Sequence, residues 1–297
     1  MTEVRLERGT LLSLLDEAVV LARRVFGRLY LATALPPAIA VTVAVILQLR
    51  FMTGTLRNVS AEGPGAPFFA GMGLLFLVYF VYGGVTGLAN AAMVAGTSWE
   101  LEGTQFRARN VWRWVLRGRV LGSLMLLGLA IGLGFMCCFL PGLYLIIIYA
   151  IAVPVMATEG ILGSQSMNRS KRLVLHSVEK RFIPPGMGWV IAVFVTAIVL
   201  SWGVSLAVQF PLTIIQQVLM ARHLLGETAR SAAPDPAAFF PLWLQVLQLV
   251  TMFASTLAKQ AVALYSAAAF SLLFRRLRGR REGTDIHAAL DALGAPA

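Results

Sequence analysis

The sequence predicts an all-α, polytopic membrane protein with six transmembrane helices and amphipathic cytoplasmic helices. The 297-residue chain is 58% hydrophobic and only 13% charged, whereas soluble domains carry about 25% charged residues. Six apolar stretches are long enough to cross a bilayer, and the basic residues concentrate in alternate connections between them. Lipid can solvate this much apolar surface, whereas a soluble fold of the same length would have to bury it.

The spans are placed by the roughly 20 apolar residues that a transmembrane helix needs. We expect them at residues 29–49, 68–98, 120–140, 142–158, 187–210 and 252–274. Pro141-Gly142 predicts a tight turn between the third and fourth spans. The last two apolar stretches are longer than a span requires, and Pro211 interrupts the fifth. We therefore expect the residues between 210 and 252 to form an extracytoplasmic helical hairpin or a re-entrant segment.

The arrangement of positive charge tests this span count. Twenty of the 25 Lys and Arg residues fall in four segments, five in each: the N-terminal flank, the connections after the second and fourth spans, and the tail. Cytoplasmic connections collect Lys and Arg, so six spans with both termini in the cytoplasm are predicted. This pattern also explains the net charge of +11 without a nucleic-acid partner. The predicted divisions are a cytoplasmic amphipathic N-terminal segment (1–28), a membrane domain (29–274) and a basic cytoplasmic tail (275–297).

A weak internal repeat accompanies the spans. Each pair of spans follows a partly amphipathic cytoplasmic segment, which in the N-terminal one includes Leu14, Ala18 and Val25 at helical spacing. A Glu-Gly pair follows each outgoing span, at Glu102-Gly103, Glu159-Gly160 and Glu282-Gly283. Glycine is common just past the end of a helix. The pattern predicts three related units, each a surface helix followed by a helical hairpin.

Arginines provide the candidate lipid contacts. Arg109, Arg113 and Arg117 recur every four residues beside an apolar face, and Arg275 and Arg276 begin the basic tail. Helices of this kind bind anionic headgroups, so we expect these five residues to contact anionic lipid. A protein partner, or a second copy of the chain, is the alternative.

Lys259 is the one basic residue inside a predicted span. A cation is costly in hydrocarbon, and Lys259 lies about 24 Å from Arg275 along a helix, near the outer edge of the bilayer. Two interpretations stay open. Lys259 snorkels to the outer headgroups, or it lines a polar cavity with Gln260 and with Gln216 or Gln217.

Catalytic and metal-binding motifs are not found in the sequence. His-Glu-x-x-His, paired Cys-x-x-Cys, Gly-x-Ser-x-Gly and phosphate-loop patterns are all missing. We therefore predict no catalytic residue, no metal and no cofactor. Glu159 with Glu102 is the one carboxylate pair that a membrane enzyme would use, and both follow span ends, which favours a structural role.

Two stretches carry a family resemblance. Pro141-Gly142, Pro154-Val155, Glu159-Gly160 and Arg169-Ser170 form the first, and the arginine-rich tail through Glu282-Gly283-Thr284-Asp285 forms the second. Together they resemble bacterial six-span proteins related to the membrane domain of glycerophosphoryl diester phosphodiesterases. The chain departs from that pattern where Arg275-Arg276 replaces a Tyr-Asp type pair. The resemblance implies a membrane module of the bacterial inner membrane and not a hydrolase.

Two functions fit these observations. The first is a non-catalytic scaffold or accessory subunit that acts through lipid or protein contacts. The second is a transporter or channel-like protein for a small or lipid-like substrate, which Lys259, the glutamines and the overlong last spans favour. Small residues spaced by four, Gly83 with Gly87 and Gly128 with Gly132, predict close helix packing or a dimer face.

Overall fold

The computed structural model describes residues 10–62, 66–175, 185–228 and 242–282, and within them every regular element is an α-helix. The helices in chain order are α1 (Leu11–Glu62), α2 (Ala66–Leu101), α3 (Ala108–Val115), α4 (Gly118–Cys137), α5 (Phe139–Tyr149), α6 (Ala152–Glu159), α7 (Ser164–Leu175), α8 (Pro185–Thr228) and α9 (Leu242–Glu282).

Six helical segments are long and apolar enough to cross a membrane, which confirms the predicted number of spans and the all-α class. They run over Leu11–Phe51, Gly71–Leu101, Gly118–Cys137, Phe139–Glu159, Gly186–Arg222 and Leu242–Gly279. The fourth comprises α5 and α6, which meet at Ala150 and Ile151. The chain is therefore a multi-pass membrane protein.

The turn between the third and fourth spans lies earlier than the prediction at Pro141-Gly142. Cys138 is the residue that breaks the helix, with φ −172° and ψ 152°. Pro141 then occupies the first turn of α5, where a proline needs no backbone N–H partner and does not disturb the helix. The prediction was wrong by three residues because proline marks both a turn and a helix start.

Pro211 does not end the fifth span either. Helix α8 continues through Pro211 as far as Thr228, and α9 begins at Leu242. The described part of residues 211–251 thus prolongs the two spanning helices and contains no re-entrant break. Helix α1 is similarly continuous through Pro36 and Pro37, so no helix boundary separates the described part of residues 1–28 from the first span. Interior prolines bend or weaken a helix without always ending it.

The chain divides into two compact units. Unit 1 comprises residues 1–31, 90–199 and 263–297, and unit 2 comprises residues 32–89 and 200–262. Helices α1, α2, α8 and α9 each contribute to both units, while α3 to α7 belong to unit 1 alone.

Unit 1 buries the apolar faces of its amphipathic segments against protein. In α1, Leu14, Ala18 and Val25 are fully buried, which confirms the helical spacing predicted for this segment. In α3, Val111 and Val115 are fully buried as well. Trp114 of α3 packs edge-on to Trp99 of α2, with ring centroids 5.9 Å apart. These buried side chains therefore pack the two segments on the protein, while Leu12, Val20 and Phe26 stay exposed on the other side of α1.

Glycine caps end two of the helices as the repeat predicts. Gly103 and Gly160 have φ of +73° and +67°, the left-handed conformation that glycine adopts without steric cost. Glu102 and Glu159 immediately precede them. The third pair, Glu282-Gly283, lies partly outside the described residues.

Candidate functional site

A polar cavity in unit 2 is the leading candidate site. Its volume is about 310 Å³, and its lining residues come from α8 and α9: Gln209, Thr213, Gln216, Gln217, Met220, Leu244, Gln248, Thr251 and Met252. This volume is at the lower end of the range for small-molecule pockets.

Helical periodicity brings these side chains to one cavity. Positions 209, 213, 216, 217 and 220 recur at the three- and four-residue spacing that keeps side chains on one face of α8. Positions 244, 248, 251 and 252 do the same on α9. The opposite face of α8 is apolar and exposed over the same stretch, with Ile215 at 47% and Val218 at 51% exposure.

The glutamine amides in the cavity are free to bind. Within the part of the chain that the structure describes, the side chains of Gln209, Gln216, Gln217 and Gln248 make no hydrogen bond. In contrast, the Thr213 hydroxyl donates to the Gln209 carbonyl at 2.8 Å, and that of Thr251 donates to the Leu247 carbonyl at 2.8 Å. The threonines therefore offer acceptor lone pairs, while the glutamines offer both N–H donors and carbonyl acceptors.

The charge of the cavity is neutral. Among the described residues that line it, none is acidic, basic or a histidine. Met220, Leu244 and Met252 provide its apolar wall. The cavity can therefore form hydrogen bonds to an uncharged group through its glutamines and threonines, beside an apolar wall.

The structure divides the four residues that the sequence grouped as a polar cavity. Gln216 and Gln217 line the cavity, but Lys259 and Gln260 are not among its lining residues. Gln260 is separated from Gln248 by twelve positions of α9, about 18 Å along the helix axis. Lys259 is exposed, whereas Gln260 is 4% exposed and its Oε1 atom has no hydrogen-bond partner within the described chain.

The second candidate site is a group of exposed basic residues in unit 1. Arg109, Arg113 and Arg117 are exposed, and no ion pair or hydrogen bond engages their side chains within the described residues. The same is true of Arg23, Arg24, Arg107, Arg119, Lys171 and Arg172. We call this set the exposed basic residues. Val111 and Val115 bury the apolar face of α3 in protein, and Arg109 and Arg113 lie on its exposed side.

The tail arginines have internal partners instead. Arg276 donates to a Glu17 carboxylate oxygen at 2.7 Å and to the Ser13 hydroxyl at 3.2 Å. Arg275 is exposed and lies 3.4 Å from the Leu101 carbonyl oxygen. Both guanidinium groups thus contact neighbouring helices within unit 1, Arg276 on α1 and Arg275 at the end of α2, while their contact with anionic lipid stays a prediction.

Glu159 is the centre of an ion-pair network. Arg169 donates to both of its carboxylate oxygens, at 3.0 and 3.1 Å, and Arg278 approaches to 3.7 Å. The Glu159 side chain is only 10% exposed. Burial raises the pKa of the other candidate carboxylate, Glu102, and Arg278 and Arg275 partly oppose that effect. Arg278 thus acts on both carboxylates, and the described residues contain no group of three metal-ligating side chains.

Close backbone contact occurs at glycines that the sequence did not single out. A Cβ atom on Gly134 would lie 2.7 Å from the Leu145 side chain and 3.1 Å from the Gly142 Cα atom. At Gly83, Gly87, Gly128 and Gly132 a Cβ atom would meet nothing within 4 Å. The predicted close packing at these four positions is therefore not found within the described chain, because they face outward.

No protein-family model, curated protein or solved structure matches this chain. The resemblance to the membrane domain of glycerophosphoryl diester phosphodiesterases therefore stays a prediction. Its motif residues have structural roles here. The pair Arg169-Ser170 joins α7 to its neighbours, since Arg169 binds Glu159 and the Ser170 hydroxyl donates to the Ile148 carbonyl at 2.8 Å.

The sequence alone placed two of the nine described lining residues, Gln216 and Gln217, in a polar cavity. Gln209, Gln216 and Gln217 cluster around Pro211, and Gln245 and Gln248 stand out in an apolar stretch. The missing step was to extend both helices without a break, which would have aligned Thr213 and Gln216 with Gln248 and Thr251. The helical spacing of polar residues was the signal that identifies this face.

Proposed function

We propose that this chain is a non-catalytic scaffold or accessory subunit of the bacterial inner membrane, with both termini in the cytoplasm. It acts through electrostatic contacts between its exposed basic residues and anionic headgroups, and through a protein partner or a second copy. The observation that carries the proposal is that these basic residues have no internal partner within the described chain, while Arg169, Arg276 and Arg278 do.

The strength of such contacts follows from their number. A basic side chain near an anionic bilayer surface contributes about 1 kcal/mol. Arg109, Arg113 and Arg117 together therefore supply about 3 kcal/mol, provided that all three reach the headgroups. Their buried neighbours Val111 and Val115 fix α3, with Arg109 and Arg113, on the protein, and Arg117 lies in the short connection between α3 and α4.

The test is lipid preference in reconstituted protein. We expect wild-type protein in nanodiscs to enrich labelled phosphatidylglycerol over phosphatidylcholine. Replacement of Arg109, Arg113 and Arg117 by Gln should remove most of that enrichment, whereas replacement by Lys should keep it because the charge remains. Equal enrichment by the Gln and Lys proteins would refute the proposal.

The topology is tested separately by cysteine labelling. In a background without Cys137 and Cys138, we expect Arg113→Cys and Arg172→Cys to react with an impermeant maleimide only after the cytoplasmic face is opened. Arg222→Cys should react in intact cells. Reaction of Arg113→Cys and Arg172→Cys from opposite sides would refute the six-span arrangement.

A second candidate function is a transporter or channel-like protein for a small or lipid-like substrate. The glutamine-lined cavity favours it, since uncharged amides and hydroxyls on two spanning helices offer hydrogen bonds to a substrate. Flux or transfer of a labelled substrate across proteoliposomes is the measurement. Loss of that flux in Gln216→Met and Gln248→Met, with flux retained in Lys259→Met, is the expected result.

A further inference from the structure

The cavity of unit 2 combines free amides with an apolar wall. Gln209, Gln216, Gln217 and Gln248 leave their amides without hydrogen bonds to the rest of the described chain. Gln217 is exposed and the other three glutamines are partly exposed, so their amides take their hydrogen bonds from water or from a bound ligand. Water provides such bonds, and a ligand that replaces the water must reproduce them.

The ligand class follows from the donors and from the neutral lining. Glutamine amides and threonine oxygens bind hydroxyl, ester and amide groups, each of which donates or accepts hydrogen bonds. A phosphate or carboxylate would enter without a cation among the described lining residues, which leaves its charge uncompensated. The cavity therefore selects uncharged head groups over anionic ones. Its volume of about 310 Å³ suits a head group and not a whole lipid.

The surroundings of the cavity indicate an amphiphile. Gln209 follows Gly186 by 23 positions of one continuous helix, about 35 Å along its axis, which exceeds the roughly 30 Å of bilayer hydrocarbon. The cavity therefore lies at head-group level, and the same face of α8 continues into the hydrocarbon with Leu206 and Trp202, which are 63% and 71% exposed. An acyl chain can therefore lie along this face while the head group occupies the cavity.

We infer that the cavity formed by α8 and α9 binds a lipid with an uncharged, hydroxyl-bearing head group, of the diacylglycerol or glycolipid class. This inference rests on the second candidate function, because both place the ligand in this cavity. It differs from the contacts of the exposed basic residues, which select negative charge.

The experiment uses full-length protein in phosphatidylcholine nanodiscs with a diacylglycerol that carries a photoreactive group near its head. We expect cross-links within residues 209–220 and 244–252. Unlabelled diacylglycerol should compete, whereas phosphatidic acid with the same acyl chains should not. Equal competition by phosphatidic acid would overturn the selection for a neutral head group, and full competition by free glycerol would overturn the assignment to a lipid.

Variants make the site assignment specific. Gln216→Met with Gln248→Met retains the side-chain volume but removes two amides, and should weaken binding about tenfold or more, as expected for two lost hydrogen bonds. Lys259→Met is the control, because Lys259 is exposed and does not line the cavity. Unchanged cross-linking in the double variant, with wild-type thermal stability, would overturn the inference. Specific binding without any transfer between leaflets would retain the inference and refute transport.

Discussion

The ion pair of Glu159 gives the sharpest test of the packing of unit 1. Glu159 follows the fourth span, its side chain is 10% exposed, and Arg169 binds both carboxylate oxygens at 3.0 and 3.1 Å. Glu159→Gln keeps the shape and one carbonyl acceptor but removes the negative charge. The Arg169 guanidinium, 28% exposed, is then left without this counter-ion.

The expected cost follows from this partial burial. Removal of one partner from a fully buried ion pair costs about 3–5 kcal/mol, whereas exposed pairs contribute about 0–1 kcal/mol. Arg169 retains some contact with water, and the amide oxygen of the substituted side chain still accepts one hydrogen bond. We therefore expect Glu159→Gln to lower the free energy of unfolding by about 2–3 kcal/mol, since the lost interactions are charge-assisted.

A matched control is available in Glu100→Gln. Glu100 pairs with Arg28 at 3.5 Å, and the Arg28 side chain is 59% exposed. Its substitution should cost less than about 1 kcal/mol. The two variants make the same chemical change at carboxylates near helix ends, so burial and hydrogen-bond geometry are what separate them.

Thermal unfolding of the purified protein in detergent, followed by tryptophan fluorescence, measures the difference. At about 2–4 °C for each kcal/mol, Glu159→Gln should unfold at least about 2 °C below Glu100→Gln. A double-mutant cycle with Arg169→Gln should give a coupling energy above about 1.5 kcal/mol. Equal melting shifts for the two glutamate variants, or no coupling, would refute the argument from burial.

Three further substitutions, with Gly132→Ala as the control for the first, test local packing by the same unfolding measurement. Gly134→Ala should lower the free energy of unfolding by about 1–3 kcal/mol, because its Cβ would meet Leu145 and Gly142. Gly132→Ala should be neutral or slightly stabilising, because its Cβ would meet nothing within 4 Å. Equal effects of the two substitutions would contradict the close approach of α4 and α5. Gly160→Ala should cost about 1 kcal/mol because of its φ of +67°, and a stabilised variant would contradict that conformation. Ser170→Ala should cost about 1–2 kcal/mol through the loss of a buried hydrogen bond, and no change in unfolding would show that this bond contributes nothing.

Composition and helical length were sufficient to predict the architecture from the sequence. Apolar runs long enough to span a bilayer have few alternative structures. Lipid offers no hydrogen bonds to the backbone N–H and C=O groups, so the segment must pair them internally as a helix. The number of spans and the glycine caps at Gly103 and Gly160 were therefore predicted correctly. The helix breaks were not, because Pro141 lies in the first turn of α5, where proline is tolerated, and because α8 continues through Pro211.

The candidate sites were harder to predict because they depend on partners that are distant in sequence. The sequence around Arg276 is as basic as that around Arg113, and nothing in it indicates an internal partner. In the structure, Arg276 donates a hydrogen bond to Glu17 of α1. Lys259 attracted notice as a charge in an apolar stretch, although the cavity is lined by neutral groups. A single charged residue in an apolar stretch is visible in the sequence. The glutamine amides of α8 and α9 form a common lining only when the two helices are placed side by side.

The neutrality of the cavity lining has a practical consequence for anyone handling this protein. Because the described groups around the cavity have no formal charge, added salt and moderate acid should leave occupancy there almost unaltered. Attraction of headgroups to the exposed basic residues weakens steeply as ionic strength rises. A titration of lipid binding with sodium chloride on a single sample therefore distinguishes ligands bound by the glutamine amides from lipids bound by the exposed basic residues.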